Sequence, residues 1–521
     1  MLSIPARPAL LVAVASSAWM GPAIGAPQLS FGPLETLRLA ATGGPLLADS
    51  RAVYPGDFNG DGRADFVTDL LSLDSRLGLV RNVGAGTYAG IELVPLPSWS
   101  GSPAVADFNG DGLTDFAVEI YDFRPSDGII VYFGAPDATT IVGQRIGTPT
   151  PDLVIRMSLA TIDFDGDGDA DLVHLDDQAT LRTIYENDGA GGFTAHTPVP
   201  FDYLTPVALD FDEDGDEDLL AFGGGVLHWF RSEGDGTFGA AIELGPTSIP
   251  VALRARWHRG DLDGDGREDA AIGQFWVQNG PGDTFQLRRD YMTSGDPVFI
   301  NAVEDLDLDG RDDIVGLRGL EGGYFRSTGG GTFEPFEFIP PAASGGFDYM
   351  FHAPIDLDGD CDLDLYFPVV TRFIENVTTL GSQVCGGAVN STGATAVLEV
   401  TGSSRIGVDR TCLSARDLPA TTFTLFLTSL TDTAPVQPPG SQGLLCLGGS
   451  IARFNRPGEI VQADALGRAR LVLDFSDVPD AVATSIQITQ PETRFFQAWY
   501  RDVAGGTQSS NFTSAVVVNL D

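Results

Sequence analysis

The chain is predicted to be all-β: a seven-bladed propeller followed by a small β-sandwich. Three observations predict it. An acidic nonamer recurs seven times, with start-to-start spacings of 50, 56, 47, 51, 44 and 51 residues, and a period of this size marks a solenoid, a propeller or an array. Each copy is flanked by short apolar or aromatic runs and a Gly-rich turn, which makes four short strands per repeat and no helix. Four antiparallel strands per unit is the plan of a propeller blade. After the seventh copy the repeat stops and a different set of alternating runs begins.

Residues 1–25 read as a secretory signal peptide. Arg7 precedes the apolar run ALLVAVASSAWM, and small residues follow, with Ala23 and Gly25 placed for cleavage after Gly25. The run is short for a membrane anchor. No later apolar stretch reaches about 18 residues, so the mature chain is expected to carry no membrane span. Residues 31–39, FGPLETLRL, precede the first nonamer by more than one strand. They are assigned as the outer strand of the last blade, because the seventh repeat ends on TRFIENV with its fourth strand missing. Closure of this kind removes the open edges that invite aggregation.

The repeats themselves occupy most of residues 26–385. The nonamers are DFNGDGRAD at 57, DFNGDGLTD at 107, DFDGDGDAD at 163, DFDEDGDED at 210, DLDGDGRED at 261, DLDLDGRDD at 305 and DLDGDCDLD at 356. A β-type run follows each, such as FVTDLL, FAVEIY, DLLAF or DLYFPVV. A second, often aromatic run comes next, such as GIIVYFG or VLHWFRS, then a turn such as GDGTF (234–238). Residues 386–393 read as a linker. Residues 394–521 hold about seven or eight alternating runs, among them TFTLFLTSL, RARLVLDF and FFQAWYRDV, which suits a small β-sandwich.

Composition narrows the chemistry. The 521 residues carry a net charge of −42, and all 30 basic residues are Arg. Without lysine there is no Schiff-base nucleophile and no P-loop lysine. So acidic a surface excludes nucleic acid as a partner. An exported chain can keep disulfides. Of the three pairings open to four cysteines, neighbours along the chain are the simplest expectation: Cys361 with Cys385, and Cys412 with Cys446.

Alternate carboxylates in a nonamer repel one another unless a cation gathers them. Side chains at positions 1, 3 and 5 of a tight loop converge on one point, Gly at position 6 allows φ > 0, the carbonyl of position 7 turns inward and Asp at position 9 closes the cage. Ca²⁺ takes such a set of six to eight oxygens. In the first copy the ligands are Asp57, Asn59, Asp61, the carbonyl of Arg63 and Asp65. In the second they are Asp107, Asn109, Asp111, Leu113 and Asp115, and in the third Asp163, Asp165, Asp167, Asp169 and Asp171. The fourth offers Asp210, Asp212, Asp214, Asp216 and Asp218, and the fifth Asp261, Asp263, Asp265, Arg267 and Asp269. The sixth offers Asp305, Asp307, Asp309, Arg311 and Asp313, and the seventh Asp356, Asp358, Asp360, Asp362 and Asp364. Up to seven Ca²⁺ ions are expected. An EF-hand is excluded, because it needs an acidic residue at position 12. That position holds Thr68, Val118, His174, Ala221, Ile272, Gly316 and Phe367. The metal-free alternative is an Asp-Gly hairpin turn, which seven complete copies disfavour.

With these loops and turns, residues 30–376 resemble the FG-GAP/VCBS-repeat family, best known from the propellers of integrin α subunits. The resemblance implies the propeller fold and Ca²⁺ loops. It is much less specific for function, because the family includes adhesion proteins, lectin-like binders and parts of enzymes. Two departures from the pattern matter: Leu308 stands where most have Gly, and Cys361 replaces the position-6 Gly. A side chain at φ > 0 costs roughly 1–2 kcal/mol, so the seventh site is expected to be the weaker. GSQGLLCLGGSIARFNRPGEI and FFQAWYRDVAGGTQSSNFTSAV resemble a C-terminal domain of secreted bacterial proteins.

Catalytic constellations are thin. GxSxG, HExxH and Rossmann glycine patterns are absent, and His174, His196, His228, His258 and His352 are scattered over the repeats. The Arg-Gly-Asp string at 259–261 coincides with position 1 of the fifth loop. The expected function is therefore a secreted or cell-surface, calcium-binding module for protein or glycan contact, with Trp99, Trp229, Trp257 and Trp276 as candidate sugar-stacking residues. The alternatives are a Ca²⁺-dependent polysaccharide lyase, or a purely structural surface component.

Overall fold

The computed structural model describes residues 31–36, 38–39, 50–70, 76–84, 87–96, 99–100, 103–121, 128–136, 143–146, 158–175, 181–196, 204–223, 226–234, 236–246, 257–273, 275–282, 284–288, 298–318, 321–339, 353–357, 359–367, 372–406, 411–480 and 485–520. The signal segment and its cleavage site lie outside these residues. Among them every regular element is a strand, and no helix is long and apolar enough to cross a membrane.

Seven sheets among the described residues each contain one acidic loop. In each, the loop joins the first strand to the second, as in Ser50–Gly56 with Asp65–Leu70, or Ser158–Ile162 with Asp171–Leu175. The second strands are buried on both faces: Phe66 and Val67, Phe116 and Ala117, Leu172 and Val173, Leu219 and Leu220, Ala270 and Ala271, and Ile314 and Val315 are 0–2% exposed. This is why they read as continuous apolar runs rather than as alternating ones.

The first strands lie against one another in chain order: Ser50–Gly56 with Ala104–Ala106, then Ser158–Ile162, Leu204–Leu209, Trp257–Gly260, Val298–Glu304 and Ala353–Ile355. The last of these in turn touches Ser50–Gly56. The N-terminal segment spans this seam. Phe31–Thr36 pairs antiparallel with Arg372–Asn376 of the seventh sheet, and Arg38–Leu39 pairs in parallel with Thr87–Tyr88 of the first repeat. Apolar clusters fill the gaps between sheets, the seam included, where Phe66, Val80 and Tyr88 meet Ile355, Leu357 and Phe373.

The second domain begins earlier than the sequence suggests. Ser382–Cys385, assigned above to the propeller, pairs with Thr507–Leu520. Residues 386–393 are part of the same unit: Val389 bridges to Thr395, and Asn390 donates to the carbonyl of Asp417. A six-stranded sheet that includes Phe423–Ser429, Glu492–Ala504 and Thr507–Leu520 faces a three-stranded sheet of Val397–Gly402, Thr411–Arg416 and Ala469–Leu473. Leu398, Leu413 and Leu473 from one sheet meet Phe426, Phe496 and Val516 from the other in a single core, a two-layer sandwich.

The expected disulfides are wrong. The bridges are Cys361–Cys412 and Cys385–Cys446. The physical reason is the position of the two upstream cysteines. Cys385 lies on a strand of the second domain, beside that domain's own Cys446. Cys361, in the seventh acidic loop, faces the strand Thr411–Arg416 of the second domain rather than its own repeat. One bridge thus ties the domains together and the other staples the second domain.

Candidate metal centres

Each loop is organised by its first carboxylate. Asp57 Oδ1 accepts from the amides of Asn59 (3.3 Å), Gly60 (2.8 Å) and Asp61 (3.2 Å), and its Oδ2 accepts from Gly62 (2.8 Å). The bond from the position-6 amide to position 1 recurs in all seven loops, with Gly112, Gly168, Gly215, Gly266, Gly310 and Cys361 as the other donors. Position 5 accepts from the amide of position 7 in every loop, from Arg63 N→Asp61 to Asp362 N→Asp360. The position-6 glycines from the first to the fifth loop have φ between +77° and +99° and open space around them. The backbone angle, not crowding, selects glycine there.

Position 9 does more than the sequence suggests. Asp65, Asp115, Asp171, Asp218, Asp269, Asp313 and Asp364 are all 0–1% exposed. In five of them Oδ2 accepts from the position-2 amide of the same loop: Phe108, Phe164, Phe211, Leu262 and Leu357. In all seven Oδ1 accepts from an amide at the end of the third strand: Asn82, Gly134, Asn187, Ser232, Asn279, Ser327 or Asn376. Position 9 is therefore the post to which strand and loop are both tied. In the third loop it also joins the ligand set directly.

Four loops bring three carboxylates together, with one oxygen of each within 4.8 Å of the others: Asp163, Asp165 and Asp171; Asp210, Asp212 and Asp214; Asp261, Asp263 and Asp265; Asp305, Asp307 and Asp309. These groups can hold a metal ion. Among the described residues the other three loops do not form such an acidic triad. The first two have Asn59 and Asn109 at position 3; Asn109 Nδ2 donates to Asp111 (3.2 Å) and Arg63 pairs with Asp61 (2.5 Å). Asp358 of the seventh loop lies outside the described residues. There Asp362 is buried and pushed far above the usual carboxylate range by burial and by Asp360 and Asp364.

Burial raises the position-9 carboxyls above the usual carboxylate range. Asp269 is raised to about 8, Asp65 and Asp171 to about 7, and Asp115 and Asp218 to about 6. Burial is the leading cause throughout, offset by backbone hydrogen bonds and reinforced by the neighbouring loop carboxylates. Oxygens of Asp65, Asp165 and Asp313 are buried without a donor. Such atoms are costly unless something positive meets them, and an all-oxygen set suits a hard cation.

A second function of the third-strand residues was not anticipated. Asn187 Nδ2 donates to the carbonyl of Phe108, Ser327 Oγ to Leu262, and Asn376 Nδ2 to Leu306. Each bond runs from one repeat to position 2 of the preceding loop. Asn82 Nδ2 makes the same bond to Leu357, from the first repeat to the seventh (3.0 Å). The signal was present as an Asn or Ser closing the third run in RNVG, ENDG, RSEG, QNG, RSTG and ENV.

The second domain covers the sixth and seventh loops. Leu308 is 3% exposed and belongs to the second domain's core, with φ +62°. Cys361, φ +72°, is bridged to Cys412. Arg405 lies 3.4 Å from Asp261, and Thr401 Oγ1 donates to the carbonyl of Asp360. Leu308 and Cys361, which break the repeat pattern, are thus among the residues that dock the second domain. Between the domains lies a cavity of about 280 Å³, lined by Arg259, Asp305, Asp312, Asp362, Ser403 and Arg405 among others.

The remaining candidates have structural surroundings. Asp261 of the Arg-Gly-Asp string is 4% exposed and engaged by the amides of its own loop, while Arg259 pairs with Glu217 (2.6 Å). Trp276 is fully buried, Trp229 donates to Asp218, and Trp257 stacks on Phe222. The Trp99 side chain and His352 lie outside the described residues. His174 is buried against Glu119 (3.1 Å), and His196 pairs with Glu186 (2.5 Å).

The FG-GAP-like repeat matches residues 57–118, 210–272 and 305–367. No curated protein sequence matches the chain. Among solved structures, a lectin from Agrocybe aegerita that recognises non-reducing terminal N-acetylglucosamine is 18% identical. That match covers 60% of this chain and 90% of the lectin, with a TM-score of 0.44. The V. cholerae biofilm matrix protein Bap1 is 11% identical over 95% of this chain and 70% of its own, with a TM-score of 0.25. A rhamnogalacturonan lyase from Bacillus licheniformis is 15% identical over 93% and 75%, also with a TM-score of 0.25. At these values none carries a ligand or an activity over to this chain.

Proposed function

We propose that this chain, a propeller-like member of the FG-GAP repeat family, is an exported binding module whose seven sheets close into one ring held by calcium. The observation that carries the calcium reading is the pair of buried carboxylate oxygens at Asp65 and Asp165 that no protein donor meets. Asp57, Asn59, Asp61, Asp65 and the carbonyl of Arg63 would hold the ion in the first loop, and the matching positions would do so in each further loop that takes one. Calcium supplies the positive charge that lets converging carboxylates stay ionised at neutral pH. The chain's own contribution is order: position 1 gathers the loop amides, position 9 ties loop to strand, and the latch bonds of Asn82, Asn187, Ser327 and Asn376 tie four repeats to the loop before.

A ring so tied is a stiff scaffold, and loops placed on a rigid scaffold are where binding surfaces reside. The tips of the first five loops are exposed, whereas the sixth and seventh are covered. The proposed partner is a protein or a carbohydrate. Two disulfides support export. Binding to a glycan array in calcium and in chelator, run beside a lyase assay on polysaccharides, tests the reading. Calcium-dependent retention without bond cleavage supports it. Release of unsaturated oligosaccharides would replace it with the lyase reading.

A further inference from the structure

The residue just before the amide that donates to position 9 varies among the repeats: Arg81, Phe133, Glu186, Arg231, Gln278, Arg326 and Glu375. In the fourth repeat, Arg231 Nε lies 2.5 Å from Asp212 Oδ2 and its Nη2 2.9 Å from Asp214 Oδ2. In the sixth, Arg326 Nε pairs with the fully buried Asp307, and its Nη2 lies 3.7 Å from Asp309. In both, one guanidinium spans the carboxylates at positions 3 and 5, two of the ligands a divalent ion would need. The equivalent residue behaves otherwise elsewhere. Arg81 pairs with Glu92 (3.5 Å), Gln278 offers a neutral amide to Asp263, and Glu186 adds a further negative charge near Asp165.

We infer that Arg231 and Arg326 are resident cations. They neutralise the fourth and sixth loops in place of metal, so the chain takes up about five calcium ions from its seven loops. The inference rests on the calcium reading of those loops. A planar, always-charged guanidinium sets one positive charge against two carboxylates at once. It also repels a divalent ion a few ångströms away, at a strength that low dielectric magnifies. The sixth loop is where this matters most. Its position-3 and position-5 side chains are 0% and 4% exposed, and the second domain lies over it. A cation supplied by the chain is in place as the domain docks.

Bound calcium is counted by elemental analysis and by titration calorimetry at saturating free calcium, on wild type, Arg231→Gln, Arg326→Gln and the double variant. Wild type should bind about five equivalents, each single variant one more, and the double variant about seven. Thermal midpoints in chelator should fall below wild type in the variants and recover with calcium. Arg326→Gln strips a partner from a buried carboxylate and risks misfolding. Arg231→Gln, with a half-exposed side chain, therefore decides the matter alone if needed. A count that does not rise in Arg231→Gln overturns the inference, whatever the wild-type number, and leaves the calcium reading standing. A wild type that binds no calcium overturns both.

Discussion

Replacing Leu308 by glycine restores the residue that most of the loops carry at that position, yet it should destabilise the protein. Two terms oppose each other. Leu308 sits at φ +62°, and relieving a side chain there returns about 1–2 kcal/mol. The same side chain is 3% exposed in the second domain's core, and truncating such a leucine to alanine costs roughly 3–5 kcal/mol, with glycine no milder. The net expectation is a loss of about 1–4 kcal/mol. Glu213 provides the control, because it holds the same position in the fourth loop at φ +59°. Its half-exposed side chain makes only a surface pair with Arg267 at 3.0 Å, worth about 0–1 kcal/mol. Glu213→Gly should therefore be neutral or stabilising by about 1 kcal/mol. Denaturation of both variants in calcium, with limited proteolysis to report release of the second domain, gives the comparison. If Leu308→Gly raised stability as Glu213→Gly does, Leu308 would not be a docking residue.

Non-reduced peptide mapping should recover Cys361 linked to Cys412 and Cys385 linked to Cys446; a peptide joining Cys361 to Cys385 would contradict the structure. Asn82→Ala removes the buried donor to Leu357 at the seam and should cost about 1–3 kcal/mol, with Asn376→Ala similar; unchanged stability in both would remove the latch from the account. Without metal, Asp65, Asp171 and Asp269 are raised to about 7, 7 and 8. The folded state then binds more protons than the unfolded one between about pH 4 and 8. Stability in excess chelator should therefore be highest at the acid end of that window and fall as pH rises, with calcium rescue growing over the same range. A flat profile in chelator would refute this.

Much of the repeat was legible because its signals are local. Alternate acids, a glycine at φ > 0 and two-sided apolar strands each act within a few residues, so FVTDLL and DLLAF fall on strands Asp65–Leu70 and Asp218–Gly223. The pairing of Phe31–Thr36 with Arg372–Asn376 was suggested by counting strands. What stayed hidden depends on distant partners. Nothing near Cys361 or Leu308 in sequence shows that a second domain 50 to 200 residues away packs on them. TCLSAR, strand Thr411–Arg416, shows its register only against Val397–Gly402 and Ala469–Leu473. TSIQITQ alternates as a strand does but contributes only an isolated bridge from Ile486 to Val478. At the candidate metal centres the alternate carboxylates were readable. The double use of position 9, and the guanidinium lying on the fourth and sixth loops, needed coordinates.

The most direct test of the calcium-held ring is the thermal midpoint of the mature protein in millimolar calcium and in excess chelator at pH 7.5. Each site occupied at 100-fold its Kd adds about 2.7 kcal/mol. Several sites together should raise the midpoint by at least about 10 °C, and the gain should reappear when calcium is returned. A midpoint that is the same in both solutions would contradict the account.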